Sequence, residues 1–140
     1  SNPPPSSRPR VEGQRRLKVK ARALSSDHTP FRKDERERVK SFGARVMTVN
    51  QIEGIEPIHE NWGLNLGEEL DTNGDPPRVW DSHRNYPGTA FTRSIGDQIA
   101  ERLGVTANPE FLEYEMRGRE KFVVLASDGV WEFLQNEQVP

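Results

Sequence analysis

The 140-residue sequence predicts an α+β fold. Three observations point there. Residues 122–126 form a continuous apolar, β-branched run that ends abruptly at Ser127-Asp128-Gly129, as a strand buried on both faces does. Residues 16–24 and 111–116 alternate apolar and polar side chains, the period of a strand with one wet face. Residues 33–41 and 98–103 carry the end signals of helices.

Taken in order, residues 1–14 are rich in Pro, Ser and Arg, hold almost no apolar side chain, and are expected to be disordered. The strand at 16–24 has an excess of Arg and Lys on its polar face. No aromatics are interleaved for base stacking, so a solvated face is expected, with no nucleic-acid partner. Residues 25–30 turn the chain. The helix at 33–41 is expected to carry the charged Glu35 and Arg38 and to face Val39 and Phe42 inward, with Gly43 in the left-handed position after its end. Residues 45–49 read as a short strand.

From 51 to 87 the pattern dissolves: Gly and Pro recur, acids accumulate, and Trp62 and Trp80 fall without period. A loop of that length inside a domain is functional or mobile. Order returns at 89–92. Asp97 is the N-cap expected for the helix at 98–103, and Gly104 closes it. Arg117-Gly118-Arg119 should then turn 111–116 into a hairpin with the buried strand. Trp131, Phe133 and Leu134 open an amphipathic helix, and the domain is expected to continue beyond Pro140.

Composition narrows the function. The length allows one modest domain, while 32% hydrophobic residues and a mean hydropathy of −0.87 leave part of the chain outside any core. A net charge of −2 offers no global attraction for nucleic acid. The absence of cysteine removes disulfides, thiolate zinc sites and a Cys nucleophile. No apolar run reaches spanning length and no signal segment opens the chain, so an intracellular protein, cytoplasmic or nuclear, with no membrane partner is expected.

Asp128 is the first candidate for chemistry. A carboxylate at the end of a buried strand is costly unless paired, and a hard divalent cation pairs with it well. Equally, Ser127 or Asp128 can cap the helix that follows, and Gly129 suits either reading. Asp27 is ambiguous in the same way, because it also occupies an Asx-turn position. Ser26-Asp27-His28 is no hydrolase triad, since adjacent side chains cannot form the relay and no Gly-x-Ser-x-Gly elbow exists. Asp71-Thr72-Asn73-Gly74-Asp75 fails as a calcium loop because Pro76 stands where glycine is needed. Arg93-Ser94-Ile95-Gly96-Asp97 suits phosphate binding at a helix start, or an Arg–Asp pair or cap that locks a turn.

The order of the motifs adds what none supplies alone. Leu24-Ser25-Ser26-Asp27-His28-Thr29-Pro30, Glu35-Arg36-Glu37-Arg38-Val39 and Phe42-Gly43-Ala44-Arg45-Val46 come first. Thr92-Arg93-Ser94-Ile95-Gly96-Asp97, Ala107-Asn108-Pro109-Glu110 and Leu125-Ala126-Ser127-Asp128-Gly129-Val130-Trp131 follow. Over residues 19–139 this series resembles the metal-dependent type 2C protein serine/threonine phosphatases.

The resemblance implies a layered α-β-β-α sandwich of two antiparallel sheets flanked by helices, incomplete in this chain. It implies two Mn²⁺ or Mg²⁺ ions, three in several members, and a metal-activated water that hydrolyses phosphoserine and phosphothreonine in a phosphoprotein substrate. By motif, Asp128 is carried over as a metal ligand and Asp27 as a ligand of a weaker third metal. Gly129, Arg93, Asp97 and Glu132 are carried over as supporting residues; Glu132 stands where the family usually has Asp. Residues 51–87 fall where the family has its flap. Residues 74–91 resemble a plant and protist branch whose members can carry fused cyclic-nucleotide-binding and kinase modules, which would lie outside this chain.

The family's Asp-Gly-His-Gly and Asp-Asn metal motifs have no counterpart among the 140 residues. Residues 15–140 are therefore expected to be a partial phosphatase domain, inactive alone. The alternative is a pseudophosphatase or protein-binding module that uses the flap region.

Overall fold

The computed structural model describes residues 19–62, 74–131 and 133–139. They fall in two units: Leu24–Glu115, and Ser1–Ala23 with Met116–Pro140. The expected disorder of 1–14, residues 16–18 of the first strand, Asp71-Thr72-Asn73 and Glu132 lie outside the described residues.

In the first unit, helix α1 spans Lys33–Ser41, as its end signals predict. Asp34 and Glu35 lie in its first turn and Arg38 and Lys40 in its last, each sign matched to the helix dipole. The Gly43 amide closes the end on the Lys40 carbonyl at 2.9 Å, with φ at +85°, a conformation only glycine adopts cheaply. The buried face differs from expectation. Glu35, Arg36 and Val39 are buried, whereas Phe42 is 60% exposed. The helix ends one residue before Phe42, so that residue leaves the inward stripe set by 32, 35, 36 and 39. Its ring lies over Gly104 instead.

Strands β1 (Arg45–Met47), β2 (Arg78–Trp80) and β3 (Pro87–Thr89) form an antiparallel sheet in that order. Val46 lies opposite Val79, and both join Val39, Ala44, Trp62 and Leu103 in the core. β1 stops two residues short of expectation because Thr48 starts helix α2 (Val49–Ile52) through a reciprocal capping box with Gln51. The stretch read as patternless from 51 to 87 contains β2, the centre of the sheet, and buries both Trp62 and Trp80. A three-residue strand is too short to show alternation. It exists because β1 and β3 pair with it.

Helix α3 (Gln98–Glu101) follows, with its N-cap Asp97 accepting the Ala100 amide at 3.1 Å. Arg93 bridges Thr106 in parallel, and Val105 is buried beside this bridge. Helices mixed with an antiparallel sheet make the fold α+β.

In the second unit, helix α4 spans Asp128–Trp131, and a short 3₁₀ turn covers Asn136–Gln138. The expected strands are absent at described positions of 19–24, at 111–116 (most of which belongs to the first unit) and at 122–126. Val123 is 59% and Leu125 99% exposed. A strand exists only if a neighbour takes its amides and carbonyls, and no described residue forms a ladder with these runs. The amphipathic helix expected from Trp131 ends there, with Phe133 and Leu134 left exposed; so short a helix needs an apolar surface to pack on.

At Gly88, φ is +71° and a Cβ would lie 2.7 Å from the Trp80 ring; at Gly43 it would meet nothing within 4 Å. Both Ala variants incur the left-handed cost of about 1–2 kcal/mol. Gly88→Ala should lose a further ~1–3 kcal/mol through overpacking. Urea denaturation checks this; equal losses at the two positions would contradict the Trp80 contact.

Candidate functional site

Among the described residues, ionisable side chains gather most densely where α1, the Thr92–Arg93 segment and the chain near Glu110 meet, all in the first unit. Glu35 is 2% exposed, and a carboxylate so buried needs several donors. Arg38, one turn along α1, donates to its Oε2 at 2.7 Å. Arg93 donates from Nη2 to Oε1 at 2.7 Å and from Nε to Oε2 at 3.3 Å. The Thr92 hydroxyl also donates to Oε2. Burial, the largest influence, pushes the Glu35 carboxyl up, but Arg93, Arg38 and Thr92 together outweigh it and hold it at about 2.

Arg32 grips a second carboxylate. It donates to Glu110 from Nη1 at 3.0 Å and Nη2 at 2.8 Å, and to Asp34 from Nη2 at 2.7 Å and Nε at 3.2 Å. His28 Nε2 lies 3.0 Å from Glu110 Oε2, and Arg93 reaches Glu110 at 3.2 Å. The Arg32 hydrogen bonds, and after them the nearby His28 ring, lower Glu110 to about 2. Arg32 in turn lowers the Asp34 carboxyl, while its own guanidinium is raised by Glu110 and then by Asp34. A cleft of about 250 Å³ borders this network, with His28, Arg93, Ser94 and Asn108 among its walls.

Asp27 is exposed and makes no hydrogen bond or ion pair with a described residue. Its neighbour His28 is held by the backbone, its carbonyl accepting the Thr92 amide at 2.8 Å. Arg93 pairs with Glu35 and Glu110, not with the Asp97 suggested as one partner by sequence. Asp97 caps α3.

In the second unit, Asp128 is the first residue of α4 and is exposed, not at the end of a buried strand as expected. Its side chain caps nothing: the Ser127 carbonyl accepts the Val130 amide at 3.0 Å, and the Asp128 carboxylate has no bonded partner among the described residues. Gly129 has no positive φ, and a Cβ there would meet only Ser127 Oγ at 3.5 Å. Sequence reasoning missed Arg32, Glu35 and Glu110 as a group. The available signal was the 32, 35, 36, 39 spacing, which places Glu35 and Arg36 on the same face as Val39.

Asp34, Glu35 and Glu110 bring carboxylate oxygens within 4.8 Å of one another, the donor type a hard cation takes. They do not fit a metal centre, because arginine guanidinium groups already occupy their lone pairs. Asp27 and Asp128 are free carboxylates of the right chemistry, but each offers a single side chain. The described residues therefore do not compose a dinuclear centre.

The family model described as Protein phosphatase 2C matches residues 14–140. The chain is 49% identical over 125 residues to a probable protein phosphatase 2C 35 of Arabidopsis thaliana, covering 89% of this chain and 35% of that protein. It is 34% identical over 121 residues to a probable protein phosphatase 2C 12 of Oryza sativa subsp. japonica, covering 86% and 26%. It is 33% identical over 121 residues to a probable protein phosphatase 2C 72 of Arabidopsis thaliana, covering 86% and 30%. The chain thus spans about a third or less of the length of these relatives. No solved structure gives a significant match.

Glu35 and Glu110 both lie below their ordinary value of 4.5. Their contribution to stability is complete above that value and is lost as pH falls toward about 2. Urea midpoints should decline over this window, and Glu35→Gln should flatten the decline. A profile identical to that of the parent chain would contradict the pairing of Glu35.

Proposed function

The chain belongs to the protein phosphatase 2C family, and from that membership we propose that it forms part of the catalytic domain of a metal-dependent protein serine/threonine phosphatase. The observation that carries the proposal is the Ser127-Asp128-Gly129 motif, which lies within the match and presents an exposed carboxylate with no protein partner among the described residues. A protein that reserves a carboxylate for a cation leaves it unpaired in this way. The arginine-saturated Glu35 and Glu110 are the opposite case.

In this reading Asp128 supplies one oxygen ligand to Mn²⁺ or Mg²⁺, and Asp27 supplies one to a weaker third ion. Gly129 and Glu132 are supporting residues of the same motif. Arg93 and Asp97 position the segment next to Asp27-His28, Arg93 through Glu35 and Asp97 through α3, and neither touches phosphate. When bound, the metal ions supply an activated water and neutralise phosphate charge. Residues 15–140 form the partial domain, with 51–87 as its flap. The apolar run at 122–126 becomes a core strand of the two-sheet sandwich in the complete domain, which explains a strand-like sequence without a ladder here. The substrate is a phosphoprotein.

One or two carboxylates hold no dinuclear centre at useful affinity, so the 140-residue chain should not hydrolyse p-nitrophenyl phosphate with Mn²⁺. The full-length protein that contains it should hydrolyse this ester and a phosphothreonine peptide. There, Asp128→Asn should reduce the rate by more than the roughly 10- to 100-fold typical of an outer-shell change. Robust hydrolysis by the 140-residue chain, lost on Asp128→Asn, would overturn the partial-domain reading. Absence of metal-dependent hydrolysis by the full-length protein would overturn the enzymatic one in favour of a pseudophosphatase.

A further inference from the structure

Helix α2 has only four residues, yet two separate segments, residues 55–59 and Asp75, are fastened to it. Its first amides have no partner within the helix, so each must be met from outside. Thr48 and Gln51 meet two of them reciprocally: the Thr48 hydroxyl accepts the Gln51 amide at 3.1 Å, and Gln51 Oε1 accepts the Thr48 amide at 3.1 Å. The other two are met by Asp75, whose Oδ1 accepts from Val49 at 3.2 Å and Oδ2 from Asn50 at 2.8 Å. One carboxylate thus joins residues 49–50 to residue 75.

The outgoing chain is fastened to the same helix. The Asn50 carbonyl accepts the Ile55 and Glu56 amides at 2.8 and 3.2 Å. The Gln51 side-chain amide donates to the Pro57 and His59 carbonyls at 3.2 and 3.3 Å. Glu56 and His59 pair at 2.7 Å, and His59 packs on the core residue Trp62.

The returning chain differs in one respect. Asp75 is followed by Pro76 and Pro77, which have no amide hydrogen to donate. The entry to β2 therefore cannot be held to α2 by backbone donation from these two residues, and the Asp75 side chain takes that part.

We propose that Asp75 is the latch of a two-point clasp on α2, whose release loosens residues 49–59 and 75–77 together while the sheet stays formed. The inference is independent of the catalytic reading, since it rests on α2 and its attachments. β1, β2 and β3 keep their own ladders, and the Trp80 indole keeps its 2.8 Å bond to the Met47 carbonyl, so the sheet has anchors that do not pass through Asp75. Local opening of this kind is read by amide hydrogen exchange.

In the 140-residue chain, Asp75→Ala should raise exchange at the Val49, Asn50, Ile55 and Glu56 amides about tenfold, the size expected for losing a cap. The Val46 and Val79 amides should be unchanged. Asp75→Asn keeps one acceptor oxygen and should give a smaller rise at the same amides. Unchanged exchange at Val49 and Asn50, or a uniform rise that includes Val46 and Val79, would overturn the latch.

Discussion

The first unit depends on one constraint: a carboxylate, Glu35, is carried into the interior on helix α1 and must be neutralised there. The helix supplies Arg38 from its own next turn. The remaining donors come from Thr92 and Arg93, far along the sequence. Satisfying one buried charge therefore dictates where the chain must return. Arg93, once placed, also reaches Glu110, which Arg32 grips through two nitrogens. The apolar core is small, and this network spans segments that its side chains do not join. A buried ion pair adds little net stability against an apolar substitute, but breaking one partner leaves the other uncompensated. The network ties the return segments at Thr92–Arg93 and Glu110 to helix α1.

That arrangement holds the segment beside Asp27 without using Asp27 in the ion-pair network. Asp27 lies one residue from His28, whose carbonyl receives the Thr92 amide and whose ring faces Glu110. Asp27 itself is left free. The two kinds of carboxylate are thus separated by their surroundings. Glu35, Glu110 and Asp34 are matched to guanidinium groups and held below their ordinary range, whereas Asp27 and Asp128 have no bonded partner among the described residues. An acidic cluster is a poor guide to metal binding when arginines are counted with it.

The sequence revealed what local rules govern. Helix α1, the glycine after it, and Asp97 at the start of α3 follow from capping and periodicity within a few residues. The order of short motifs carried the family, because it needs no knowledge of contacts. Non-local features were hidden. β2 is three residues long and is made a strand by its neighbours. Phe42 fell outside its expected face because the helix stops at Ser41. Glu35 read only as a charged residue of the helix because its decisive partners lie 57 and 58 positions away. The run at 122–126 has the composition of a buried strand, but composition cannot supply the ladder that would make it one.

Glu35 and Arg93 act as one unit across that separation, and a double-mutant cycle measures their coupling. Glu35→Ala, Arg93→Ala and the double variant would be compared by urea denaturation. Coupled neighbours show interaction energies of about 0.5–3 kcal/mol, and this pair should fall in the upper half, with the double variant losing clearly less than the sum of the singles. Losses that add to within about 0.3 kcal/mol would contradict the account.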